Sequence, residues 1–316
     1  MTIRLLLLLT TILLLPQSIA DDHSDAQKAV LVTGASSGIG LNITQHLAKA
    51  GYYVYAGARK AADLERLNAM DNVTAVKLDV TVQEQIDAAA EFVKSQGRGL
   101  YGIINNAGVG TFANSLSEAP MDDMVWMHDI NVFGPHRINL AFMPQLKESK
   151  GRTATIGSIS GYLASPRSGI YSMTKMGVEV YAEALDAELQ TIGMHAANIA
   201  PGGYKSKIRE KVVMHTITGK YDMKSDDTKL SEEQQKQLQE MRESNDAMKE
   251  PDEVSEVVLA YLAAEEPKVR YMVTPNKEQA MMTVTSAMRR LIETNADQPY
   301  SLSRDELIKL MDEVSQ

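Results

Sequence analysis

Ala29-Val30-Leu31-Val32 is a continuous apolar run that stops at Thr33-Gly34, the pattern of a strand buried on both faces. The residues after it change period. From 40 to 50, Ile43, Leu47 and Ala48 fall on one helical face, and Gly51 ends the helix. The same exchange recurs, with strands predicted over 52–56, 73–78 and 102–105 and helices over 61–70 and 82–96. A long helix is predicted over 121–149, a strand over 152–158, a helix over 171–191 and a strand over 195–200. Strands alternating with helices through short links imply βαβ units around a parallel sheet covered on both faces. The expected fold is therefore α/β, a single doubly wound parallel sheet.

The alternation breaks at 204–250, a polar, acidic stretch with a helical pattern at 231–248, read as a substrate lid or insert. A helix over 251–264 and a strand over 270–274 follow. Helices over 277–294 and 303–314 make a helical C-terminal extension spanning 277–316. Met281, Met282, Met288, Leu291 and Ile292 form an apolar stripe there, expected to pack the extension against the rest of the chain.

The N-terminus carries a different signal. Arg4 precedes an apolar run from Leu5 to Leu15, Pro16 breaks it, and Ser18-Ile19-Ala20 offers small residues for cleavage. This is the layout of a signal peptide over 1–20, followed by a linker over 21–28. The expectation is export to the periplasm or medium; an uncleaved N-terminal membrane anchor is the alternative. The mature chain carries no further run long enough to span a membrane.

Composition removes several classes of function. A formal charge of −9 with no Lys/Arg cluster argues against nucleic acid, whose phosphates demand a basic face. The absence of cysteine excludes disulfides and a thiolate nucleophile. The six histidines have no ligand spacing, so no metal site is read; His128 and His136 are taken as surface or capping residues.

The chemistry starts where the first strand ends, at Thr33-Gly34-Ala35-Ser36-Ser37-Gly38-Ile39-Gly40. Glycines there let the backbone approach a pyrophosphate, and the following helix aims its N-terminal amides at the anion. Asn105-Asn106-Ala107-Gly108 closes the fourth strand, Asp79-Val80 follows the third, and Pro201-Gly202 follows the sixth. Tyr171 and Lys175 share a helix face thirteen residues after Ser158, with Asn131 upstream. Together, over about 29–274, these motifs resemble the short-chain dehydrogenases/reductases.

The resemblance implies a Rossmann-type catalytic domain over 29–276 with a nicotinamide cofactor. Cofactor contacts would come from Gly34, Ser36, Ser37, Gly38, Ile39, Gly40, Arg59, Asp79, Val80, Asn106, Ala107, Gly108, Tyr171, Lys175, Pro201, Gly202 and Ser206. The catalytic set would be Asn131, Ser158, Tyr171 and Lys175, with Asn131 placing a water in a proton relay. At the end of the second strand Ala58-Arg59 stands where NAD-binding members carry a carboxylate. A guanidinium there suits the extra phosphate, so NADP(H) is expected over NAD. The Lys175 ammonium is expected to lower the Tyr171 pKa toward a usable base. The expected reaction is hydride transfer between an alcohol and its carbonyl, on a substrate that analogy makes lipophilic, steroid- or retinoid-like. A nucleotide-binding scaffold without turnover and a sugar-nucleotide epimerase or dehydratase are the rival readings. The family habit implies a homo-oligomer.

Overall fold

The structure is a computed structural model, and it describes residues 27–111, 115–219 and 230–315. The signal segment predicted at 1–20 lies outside them.

Seven parallel strands form one sheet: β1 (Ala29–Val32), β2 (Tyr53–Ala58), β3 (Val73–Lys77), β4 (Gly102–Asn105), β5 (Arg152–Ile156), β6 (His195–Pro201) and β7 (Arg270–Val273). Their order in space is β3-β2-β1-β4-β5-β6-β7. Successive side chains of a strand point to opposite faces. Val30 and Val32 therefore enter one core, with α1 (Gly38–Lys49) and α9 (Asp252–Ala263), while Ala29 and Leu31 enter the other. That second core lies under α3 (Gln83–Ser95) and α5 (Gly134–Glu148). The central strand β1 is thus apolar and buried throughout, as its sequence predicts.

The chain winds outward from β1 to β3, then restarts at β4 on the other side. Connections on the two sides of that reversal diverge, and the crevice between them is where open α/β sheets bind ligands. Both glycine-containing turns, after β1 and after β4, open into it.

Three departures from the expected boundaries bear on the site. Helix α1 begins at Gly38, inside the glycine turn, so its amides come closer to the crevice. The helix predicted over 121–149 is three pieces: α4 (Met121–His128), a π-helical turn (Asp129–Phe133) and α5. A π turn accommodates an extra residue per turn, which a 3.6-residue period cannot reveal. Helix α6 (Gly169–Gln190) starts two residues before Tyr171.

The 204–250 stretch contains α7 (Ile208–Thr218), unforeseen in the sequence, and α8 (Glu232–Asp246), capped by Ser231. The extension is α10 (Lys277–Asn295) and α11 (Arg304–Val314). Here the expected packing face is corrected. Met281, Met282, Met288, Leu291 and Ile292 are exposed, Met281 at 59%. Helix α10 docks instead through Gln279, Thr283 and Ser286, and Ser286 Oγ donates to the Tyr162 carbonyl at 2.7 Å. That polar row lies on the side of the helix away from Met281, Met288, Leu291 and Ile292.

Candidate active site

The crevice is a cleft of about 420 Å3. Its floor is built by Thr33, whose hydroxyl accepts the backbone amides of Asn106 and Ala107, each at 3.0 Å. The Asn106 side chain returns the contact, donating to the carbonyls of Thr33 and Gly34 at 3.0 and 3.1 Å. The turns after β1 and β4 are therefore one unit. Gly40 is confined by it: an added Cβ would strike the Asn106 amide and the Gly34 carbonyl. Gly38 has φ +56°, and a Cβ there would lie 2.8 Å from Ser206 Oγ on the far wall. Backbone thus stands bare between two walls at the start of α1, which is the cradle a dinucleotide's pyrophosphate needs. The residues present fit that cofactor.

Gly34, Ser36, Ser37, Ile39, Arg59, Asp79, Val80, Asn106, Ala107 and Gly108 line the cleft from the sheet side. Ser158, Tyr171, Lys175, Pro201, Gly202 and Ser206 line it from the other. Gly38, Gly40 and Asn131 sit one layer behind.

At one end, Arg59 Nη1 reaches Asp79 at 3.3 Å. Burial raises the Asp79 carboxyl, but the hydroxyl and amide of Thr81 and the Arg59 charge outweigh it and hold the carboxyl below its usual range.

At the other end stand Ser158, Tyr171 and Lys175. Tyr171 and Lys175 come from the first two turns of α6, and Ser158 leaves the end of β5. Ser158 stands beside Tyr171 in the cleft and favours the ionised form of its phenol. The Lys175 ammonium is buried, donates to the Ile156 carbonyl at 2.8 Å and lies 5.6 Å from the centre of the Tyr171 ring. Burial lowers its pKa to about 8. Burial also pushes the Tyr171 phenol up to about 12, against a smaller lowering by Ser158. The phenol is therefore raised where a lowering by Lys175 is expected, because loss of water costs the phenolate more than Ser158 returns.

Asn131 is buried in the π turn. Its side chain clamps both backbone groups of Val109, at 2.8 and 2.9 Å, and donates to the Thr174 hydroxyl at 3.1 Å. It therefore ties the turn after β4 to the helix that carries Tyr171 and Lys175.

Sequence reasoning missed several contributors. Arg209 and Lys211, from α7, line the cleft. Asn245 of α8 accepts the Ser206 amide at 3.1 Å. Gln279 of α10 accepts the Gly203 amide at 2.7 Å. None belongs to a motif with fixed spacing, so only the fold reveals them. His128 caps its own helix, with Nδ1 2.8 Å from the Met124 carbonyl, and His136 is exposed.

The family model for short chain dehydrogenase matches residues 28–216. The chain belongs to the short-chain dehydrogenase family. Membership makes it one of a class of nicotinamide-dependent oxidoreductases, and the sheet order and glycine cradle are those of that class. The uncharacterized oxidoreductase YbbO of Escherichia coli (strain K12) is 36% identical over 190 residues, 59% of this chain and 69% of that protein. Mitochondrial D-beta-hydroxybutyrate dehydrogenase of Bos taurus is 34% identical over 56% of this chain and 54% of its own length. Estradiol 17-beta-dehydrogenase 2 of Mus musculus is 35% identical over 58% and 49%. The chain thus spans about half the length of these two dehydrogenases. Among solved short-chain dehydrogenases, one from Burkholderia phymatum in complex with NAD gives a TM-score of 0.68 at 20% identity, covering 88% of this chain and 98% of that one. One from Burkholderia cenocepacia in complex with NADP gives 0.64 at 22%, covering 86% and 98%. Among the described residues, no helix is long and apolar enough to cross a membrane.

Proposed function

We propose that the chain is an NADP(H)-dependent oxidoreductase that interconverts an alcohol and its carbonyl. The observation that carries the reading is the convergence of Ser158, Tyr171 and Lys175 on the same cleft as the glycine cradle and Arg59. Gly34 to Gly40 and Asn106 to Gly108 would hold the pyrophosphate side, Arg59 the adenosine ribose, and Lys175 and Ser206 the nicotinamide side. When bound, the nicotinamide supplies a carbon that gives or takes a hydride.

The chain's own groups handle the proton. Ser158 holds the substrate oxygen by its hydroxyl. Tyr171 gives its proton to that oxygen in reduction and takes it back in oxidation. With its phenol near 12, Tyr171 is an acid already loaded at neutral pH. The Lys175 charge, present below about 8, favours the phenolate left after the proton is given. Asn131 acts as a positioning residue through Val109 and Thr174.

The wall beside Tyr171 supports a lipophilic substrate. Val109 and Ile170 pack there with Tyr171, and an added Cβ at Gly110 would touch both Val212 of α7 and the Tyr171 ring. We also infer a homo-oligomer, since Phe133, Leu140 and Val180 expose apolar side chains on α6 and on the α4–α5 stretch beside it. Export rests on residues 1–20, and an N-terminus at Asp21 in the mature protein is the expected result.

The test is titration with NADPH and NADH, then a panel of steroid, retinoid and short-chain alcohols and carbonyls in both directions. A preference for NADPH that Arg59→Ala removes supports the cofactor assignment. Tight nucleotide binding with no turnover on any substrate would move the scaffold reading ahead.

A further inference from the structure

Helix α7 belongs to the stretch read from sequence as a lid over substrate. Its first turn also reaches the adenosine end of the cleft. Lys211 lines the cleft together with Arg59, Ser36 and Asp79. Its ammonium feels the charges of Arg59 and Lys60, which lie at the end of β2 and the start of α2 (Ala61–Asn68).

The carboxylates around Lys211 are already taken. Asp79 pairs with Arg59 at 3.3 Å, and Asp63 with Arg66 at 3.1 Å. Glu210 is held by Arg242 at 2.6 Å and by Lys207 at 3.2 Å. The Lys211 side chain makes no hydrogen bond and no ion pair to another described residue. Burial, then Arg59 and Lys60, lower its proton affinity, and the pull of Asp63 and Glu210 does not restore it. Cations gathered in a half-buried pocket with too little counter-charge repel one another, and an anion arriving between them removes that cost.

We propose that Lys211 and Arg59 together bind a phosphate monoester on the adenosine ribose, so that α7 clamps the cofactor as well as bordering the substrate. The proposal rests on the NADP(H) reading and extends it. It makes the insert a reader of the nucleotide: the 2′-phosphate draws α7 down, while a nucleotide lacking it leaves Lys211 without a partner. Because Val212 follows Lys211 directly and borders Tyr171, the same movement shapes the substrate wall.

The experiment compares adenosine 2′,5′-bisphosphate with adenosine 5′-monophosphate, which differ only in the 2′-phosphate. Binding is measured by calorimetry on the full chain. Hydrogen exchange of the 208–218 amides is followed in parallel. Lys211→Met should weaken the bisphosphate about tenfold and the monophosphate less than about twofold, while Lys211→Arg keeps most of the affinity. The bisphosphate should slow exchange in α7 of the wild type and not of Lys211→Met. Melting temperatures establish that both variants fold. If Lys211→Met weakens both ligands equally, or neither, the clamp is overturned, and Arg59→Ala then decides independently whether the NADP(H) reading stands. If the wild type does not distinguish the two ligands, both ideas fail.

Discussion

Gln279 accepts the backbone amide of Gly203 at 2.7 Å, joining the first turn of the C-terminal extension to the loop after β6. That loop carries Gly202 and Ser206 into the cleft beside Pro201, the last residue of β6. The extension is therefore a buttress of the proposed nicotinamide side, although its own side chains stay outside. Asn276 caps the helix by accepting the Gln279 amide at 2.9 Å, which fixes where the buttress starts.

Gln279→Ala should cost about 1 kcal/mol of stability, the usual net worth of one such hydrogen bond. Nucleotide affinity should fall several-fold. Thermal unfolding with and without NADPH checks both effects, and an unchanged affinity would mean that the loop holds itself.

Gly40→Ala should abolish measurable nucleotide binding. The new methyl has no room between Asn106 and the Gly34 carbonyl, so the joint between the two turns must open. Overpacking of this kind costs roughly 1–3 kcal/mol, which chemical denaturation will register. A variant that binds normally would show that the two turns separate freely.

Tyr171→Phe should leave nucleotide affinity and melting temperature near wild type while lowering turnover by about 10²–10⁴-fold, the range expected for one acid-base group. In the wild type, carbonyl reduction should be level through neutral pH, because the phenol stays protonated up to about 12. It should then fall above pH of about 8, as Lys175 loses its charge. A rise in reduction rate between pH 8 and 10 would contradict these assignments.

Lys175 also sets a pH signature on stability. Its pKa is lowered from 10.5 to about 8 in the folded chain. Between those values the unfolded chain binds more protons than the folded one, so stability rises with pH across that window. Lys175→Met lacks the effect. The stability of the wild type relative to Lys175→Met should therefore increase by up to ~3 kcal/mol from pH 8 to pH 10.5. A flat difference, measured by denaturant titration at several pH values, would refute the burial cost assigned to Lys175.

The sheet and the motifs were legible because each depends on neighbours in sequence. Ala29 to Val32 declares a buried strand by four consecutive apolar residues, and Tyr171 and Lys175 declare one helix face by their spacing. What stayed hidden depends on distant partners. Helix α7 was missed because Ile208, Val212, Val213, Met214 and Ile217 fall all round it, and it is held by its neighbours, as in the 3.1 Å contact of His215 with Asp123. The π turn was missed because the apolar pattern runs through it. The direction of the Tyr171 pKa differs from expectation because the sequence displays Lys175 four residues away but not the burial that raises the phenol. The methionine stripe of α10 was assigned to packing because its apolar character is visible, whereas the polar row of Gln279, Thr283 and Ser286 becomes a docking face only against Gly203 and Tyr162.

Thr33 and Asn106 are 73 positions apart, and their mutual hydrogen bonds close the cradle. During synthesis the glycine turn emerges long before β4, the strand that completes it. A nascent chain that has made β1, β2 and β3 has the pyrophosphate motif but no second wall, so it offers nucleotide nothing to grip. On the proposed reading of the cradle, cofactor would enter the folding reaction only after the sheet has crossed its own centre, and would stabilise chains that have already paired β1 with β4.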